Sequence, residues 1–243
     1  MSPRKEDKLL LAFPFGCDID CVFCQRNRHP HRTAFAFTDE RWREVLIRFR
    51  ALMRVLRRRG VRRLCLGGDE PTMAPAWLLE SVVRMGVKEG FTYIELMSNG
   101  VKLRGRRLVE TLVKAGVNAF LLPVYGPDAA THDAVTRKKG SYAALLKAIG
   151  NIRSFPGTKI EMHTLRLKAN QGRIRETVSG MMALGLKCAV WDLKENETDT
   201  HVDYAALRPD GALPRKQRAV DSRVRKDRAP NYVKYNICTE RTY

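Results

Sequence analysis

Short apolar runs alternate with amphipathic stretches along most of this chain, and that alternation restricts its fold more than any single motif does. An apolar strand at residues 9–13 leads to a helix over 40–59, where Trp42, Val45, Leu46, Phe49, Leu52, Met53 and Leu56 recur near a 3.6-residue period. The segments RRLCLGG, TYIELMSNG, NAFLLPVYG, TKIEMHTLRL and KCAVWDL read as five more strands. Helices are predicted around 76–89, 106–115, 141–154 and 174–184, two of them stopped by Gly116 and Gly185. About six β-then-α units predict parallel strands joined by right-handed crossovers, and so an α/β fold. Six units fall short of the eight of a closed barrel, so a partly open (β/α)6 barrel is expected, with its chemistry beyond the C-terminal strand ends. After about Thr200 the pattern gives way to an arginine-rich stretch in which Leu207, Leu213 and Val220 are scattered anchors. The expected organisation is a barrel domain over residues 1–200 and a basic extension over 201–243.

With 44% hydrophobic residues, a chain of 243 can bury the core of one barrel-sized domain. No apolar run is long enough to cross a bilayer, so no membrane is expected as a partner. The charged start and short apolar stretch have the outline of a leader peptide. A small-residue cleavage site is lacking, however, and Pro14 and Gly16 break the run, which favours a buried first strand. Six cysteines, half of them bunched, are not a disulfide framework; they suit a reducing, cytoplasmic setting and a metal site. The net charge of +19 concentrates in Arg57–Arg59, Arg62–Arg63, 26–32 and 215–228. Such a surface attracts nucleic acid, acidic proteins or anionic ligands, or is simply a set of solvated helix faces rich in arginine. Charge alone does not choose among these.

Cys17, Cys21 and Cys24 lie in the loop after the first strand, three and then two residues apart. Three thiolates can hold three irons of a [4Fe–4S] cluster and leave the fourth iron to a non-protein ligand. Phe23, just before the last cysteine, could shield a cluster or pack on a flat ring. Cys65 and Cys188 sit within apolar strands and read as small buried hydrophobes, while Cys238 has no companion.

In spacing and placement this loop resembles that of the radical S-adenosylmethionine (radical SAM) superfamily. The resemblance extends over residues 9–193, closest to the branch containing peptide maturases and molybdenum-cofactor biosynthesis enzymes. GGDEPT after the second strand resembles the family's Gly-Gly-Glu-Pro motif, with Asp69 in place of a glycine; Gly68, Asp69 and Glu70 would then meet the SAM ammonium. Ser98-Asn99-Gly100 resembles the Thr-Asn-Gly turn that places a polar side chain beside the cofactor. His132-Asp133 and Gly140-Ser141-Tyr142 match a longer stretch of the branch, whereas Tyr125-Gly126 replaces its usual Asp-Gly and Pro123 also departs from it; His132 is read as a structural loop residue. Arg166, at the end of the fifth strand, would reach the SAM carboxylate or face outward, and Val190 and Leu193 would flank the adenine.

The resemblance implies a [4Fe–4S] cluster on Cys17, Cys21 and Cys24, SAM as the fourth ligand, and reductive cleavage to a 5′-deoxyadenosyl radical that takes hydrogen from a substrate. A peptide or small metabolite is expected as substrate, and an acidic donor such as flavodoxin or ferredoxin as electron source. The donor would be steered by Arg26, Arg28, His29, His31 and Arg32. RNA as the substrate stays open on the charge. So does a zinc-dependent nucleic-acid-binding protein, using the three cysteines with His29 or His31.

Overall fold

The computed structural model describes residues 8–13, 15–24, 38–193, 202–210, 232–236 and 241–242. The basic run at 26–32, Cys238 and the arginines at 215–228 lie outside them. Six strands, β1 (Lys8–Phe13), β2 (Arg63–Gly68), β3 (Tyr93–Met97), β4 (Ala119–Pro123), β5 (Lys159–Arg166) and β6 (Lys187–Asp192), pair in parallel and in sequence order. A sheet wound in one direction by right-handed crossovers puts its helices on one face and curves around the other, as a partial barrel does. The helices are α1 (Asp39–Arg58), α2 (Ala76–Lys88), α3 (Arg106–Ala115), α4 (Ala129–Thr136), α5 (Ser141–Arg153), α6 (Ile174–Ala183) and the short α7 (Tyr204–Leu207).

The main core lies between sheet and helices. Leu9, Leu11, Phe13, Leu64, Leu66, Ile94, Leu96, Phe120, Leu122 and Met162 supply the sheet side. From α1, Trp42, Val45, Phe49, Met53 and Leu56 descend onto it at helical spacing. Truncating the fully buried Phe49 to Ala would cost about 3–5 kcal/mol. The helix starts at Thr38, whose hydroxyl accepts from the Arg41 amide, and its far end is finished by Arg57, which donates to the carbonyls of Val61 and Glu89. Part of the arginine excess therefore closes helix ends and pairs with Glu44, Glu80 and Glu89 on the exposed faces.

Strand alternation leaves Lys8, Arg63, Cys65, Tyr93 and Glu95 on the concave face. There the Lys8 ammonium lies 3.8 Å from the buried Glu95 carboxylate, the Cys65 thiol donates to Glu95 at 3.0 Å, and the Arg63 guanidinium stands 4.2 Å from the Tyr93 ring centre. Cys65 is buried as expected, but beside a carboxylate rather than among apolar side chains. Cys188 is half-buried against the helix-side core.

Two further elements carry no clear signal in the sequence. β7 (Tyr232–Asn236) pairs in parallel with the free side of β1, and β8 (Arg241–Thr242) pairs antiparallel with β7. The sheet therefore runs β6-β5-β4-β3-β2-β1-β7-β8 and stays open.

The His132-Asp133 and Gly-Ser-Tyr segments form one clamp. Asp133 accepts from the Gly140 and Tyr142 amides and the Ser141 hydroxyl, which caps α5. His132 lies in α4 rather than in a loop, and its Nδ1 accepts from the Tyr125 amide at 3.1 Å. Burial pushes this imidazole down to about 4. Below about pH 6.5 the unfolded chain binds a proton that the folded one refuses, so stability is lost as pH falls from about 6.5 toward 4. The thermal unfolding midpoint should drop across that window, and the drop should be shallower in His132→Gln. An equal slope in both proteins would mean that His132 titrates as a solvated group.

Candidate active site

The C-terminal strand ends are laced together by the GGDE segment. Gly68, with φ of +110°, passes so close to β1 that a Cβ there would stand 2.6 Å from the Phe13 nitrogen. Only glycine fits this backbone approach. Asp69 then donates its amide to the Phe13 carbonyl and accepts from the Gly16 amide on Oδ2 at 3.1 Å, while the Glu70 amide donates to the Gly16 carbonyl. The segment entering the cysteine loop is thereby fastened to the end of β2.

Glu70 is 1% exposed. Its carboxylate accepts from the Thr72 amide at 3.1 Å and hydroxyl at 2.6 Å, from the Ser98 hydroxyl at 2.8 Å and from the Asn99 amide at 2.7 Å. Burial raises its pKa, against the opposing pull of those donors. The sequence motif suggests a carboxylate facing the SAM ammonium; the structure also makes it the joint between the ends of β2 and β3. Asn99 continues the network: its Nδ2 donates to Asp18 at 2.7 Å and toward the Cys17 sulfur at 3.4 Å, while its Oδ1 accepts from the Val101 amide.

The cysteine loop sits in a second apolar cluster. Ile19, Cys21, Val101, Tyr125, Val135, Ala144 and Leu167 are its buried members, and Cys17, Phe23, Cys24, Leu165 and Leu193 pack against it. The Phe23 ring meets Tyr125 edge-on with centres 5.3 Å apart, and the Asp20 and Val22 amides donate to the carbonyls of Thr136 and Val135. Burial pushes the Cys17 thiol up to about 11, against hydrogen bonds from the Ile19 amide and Asn99, and it raises Cys21 as well. Thiolates in such surroundings need a cation to balance them. Three soft sulfur donors in one apolar loop, one of them receiving an N–H from Asn99, fit an iron–sulfur cluster. Among the described residues no group of three His, Cys, Asp or Glu side chains is arranged to hold a single metal ion, and His29 and His31 lie outside them.

The remaining sequence-derived positions are less united. Arg166 is neither outward-facing nor open: it is buried, and its guanidinium pairs with Asp192. Val190 is half-buried in register with Thr164 and belongs to neither apolar cluster, whereas Leu193 joins the cysteine shell. Asn170 ties the strand ends, donating to the Tyr125 and Leu165 carbonyls and accepting from the Leu167 amide. Nothing in the sequence marks Asn170, because the carbonyls it joins lie on separate strand ends. Tyr125 was passed over because it stands where the resemblance expects an aspartate.

Removing the Glu70 carboxylate strands several buried donors, each at a cost of about 1–3 kcal/mol. Glu70→Ala should therefore lower the stability of the metal-free protein by about 3 kcal/mol or more in chemical denaturation. Unchanged unfolding with a loss confined to SAM affinity would make the carboxylate a ligand contact instead.

A family model of the radical SAM superfamily matches residues 11–175. Methylornithine synthase (PylB) superposes with a TM-score of 0.64 at 14% identity, over 96% of this chain and 65% of that one. Native anSMEcpe with bound AdoMet and a Kp18Cys peptide gives 0.59 at 13%, over 81% and 55%. Coproporphyrinogen III oxidase (HemN) from Escherichia coli gives 0.55 at 17%, over 92% and 52%. At these identities the likeness is one of fold, and the chain spans a little over half the length of most of these structures. Comparison with curated proteins found no match. With more than half of its length matched by the family model, the chain belongs to the radical SAM superfamily, whose members are enzymes.

Proposed function

We propose that this protein binds one [4Fe–4S] cluster through Cys17, Cys21 and Cys24 and uses it to cleave SAM reductively. The observation that carries the reading is the union, at one end of the sheet, of three cysteines in an apolar shell with the network of Asp69, Glu70, Ser98 and Asn99. When bound, the cluster supplies one electron to the sulfonium of SAM, giving methionine and a 5′-deoxyadenosyl radical that takes hydrogen from a substrate.

The chain's own residues hold and shield. Asn99 orients Cys17 and donates to its sulfur, which favours the thiolate. Phe23, Tyr125 and Leu193 keep water from the loop. Gly68, Asp69, Glu70, Ser98 and Asn99 stand together at the strand ends beside the cysteine loop and would meet SAM there, with Glu70 and Ser98 also holding the turns in position. Contacts from Arg166 require its pairing with Asp192 to be shared or given up, and Val190 is a weaker candidate for the adenine than Leu193. The substrate is a peptide or a small molecule. Support for both comes from the fold's relatives, since one of the similar structures holds a peptide and another is a methylornithine synthase. An acidic flavodoxin- or ferredoxin-type protein would deliver the electron.

After anaerobic reconstitution the protein should be brown, carry about four irons per chain, and release 5′-deoxyadenosine from SAM with dithionite. Replacing Cys17, Cys21 and Cys24 together by Ala should remove both iron and cleavage, while Cys65→Ala should keep its iron. A triple variant that retains a full cluster would overturn the assignment.

A further inference from the structure

The concave face carries an aromatic pair that the site described so far does not use. On β5, Met162 joins the helix-side core, so strand alternation turns Glu161, His163 and Leu165 the other way. On β6, Cys188 packs toward the helices, which turns Ala189 and Trp191 to the concave side. Leu165 packs on the shell around the cysteine loop, and His163 lies one pleat further in, about 7 Å along the strand. The His163 and Trp191 rings stack with centres 4.2 Å apart and planes 17° from parallel.

One feature of this pair is unexplained by packing. His163 Nδ1 is buried without a hydrogen-bond partner, a deficit of about 1–3 kcal/mol that a ligand or water would relieve. Trp191, on the edge strand β6, leaves its outer indole face open and is 40% exposed. Burial pushes the His163 imidazole down to about 4, so it is neutral at physiological pH. A neutral imidazole selects an uncharged hydrogen-bonding group, while an indole face selects a flat ring.

We propose that His163 and Trp191 recognise the substrate, taking a planar aromatic ring that bears a neutral hydrogen-bonding group, such as a phenol. The proposal rests on the radical SAM reading and deepens it. The pair lies beside the cysteine shell, where a ring would be near the point at which the radical forms. The phenol can belong to a free small molecule or to a tyrosine in a peptide, and the recognising chemistry is the same for both.

The test uses the reconstituted, SAM-loaded protein and saturation-transfer NMR, with N-acetyltyrosinamide, N-acetylleucinamide and the peptide Gly-Gly-Tyr-Gly-Gly as probes. Ring protons of the two tyrosine probes should be saturated and the leucine probe should not; a stronger signal from the pentapeptide points to a peptide source, from the amide to a small molecule. Trp191→Ala and His163→Leu should each weaken the signal about fivefold or more. His163→Asn, which keeps a polar atom near the place of Nδ1, should retain more signal than His163→Leu. If His163 served packing alone, the order would reverse, and that reversal would overturn the proposal. So would equal saturation of the leucine probe, or a ring signal that SAM itself abolishes, since the pair would then serve the SAM adenine. Met182→Ala, on the exposed side of α6, controls for general damage. Iron content and dithionite-driven SAM cleavage are measured on the same wild-type preparation. Absence of both sinks the radical SAM reading, whereas SAM cleavage without phenol binding sinks only the present inference.

Discussion

A single buried carboxylate, that of Glu70, holds the cofactor end of this sheet in shape. Parallel strands are hydrogen-bonded along their length, but beyond their last residues the chain must turn outward and loses that support. Glu70 replaces it, gathering the hydroxyl and amide of Thr72, the hydroxyl of Ser98 and the amide of Asn99 around one charged group. Hydrogen bonds to a charged acceptor in surroundings of low dielectric constant are strong when complete and costly when broken. Asn99 is held by this cluster at its backbone and can therefore direct its side chain at Cys17 and Asp18. The surroundings of Cys17 thus depend on a residue that makes no hydrogen bond to its thiol.

The helix side and the concave side of the sheet follow different physical rules. Toward the helices the strands present leucine, isoleucine and phenylalanine, and stability comes from the area removed from water. Toward the inside they present Lys8, Arg63, Tyr93 and Glu95, joined by ion pairing, a thiol hydrogen bond and a cation over an aromatic ring. These interior contacts stabilise less than the area they occupy would if it were apolar, because charges must first give up water. In return the inner face stays polar at its far end, while the His163–Trp191 stack makes it aromatic one pleat from Leu165.

Most of the architecture is legible in the sequence, because β1 to β6 are short apolar runs and α1, α2, α3, α5 and α6 carry apolar residues at helical spacing. Helix α4 escapes such reading: AATHDAVT has few apolar residues, and His132 and Thr136 supply much of its buried side. β7 reads YVKYN, where Lys234 and Asn236 make an ordinary polar tail of what is a paired strand. In the site, the cysteines and the glycine of the second motif are legible as local patterns. The part played by Glu70 is not, since its donors at Ser98 and Asn99 arrive from another strand. The pairing of Arg166 is hidden for the same reason, its partner Asp192 lying on β6.

The pairing of β7 with β1 has a consequence for the order of assembly. It joins residues more than two hundred positions apart, so the entropy of closing that loop is met only after the rest of the sheet has formed. During synthesis β1 has one neighbour, β2, until residues 232–236 have left the ribosome, and its other edge stands open in the meantime. The cysteine loop grows directly from that half-paired strand. A loop that grows from a strand paired on one side only is less firmly anchored during synthesis than in the finished sheet.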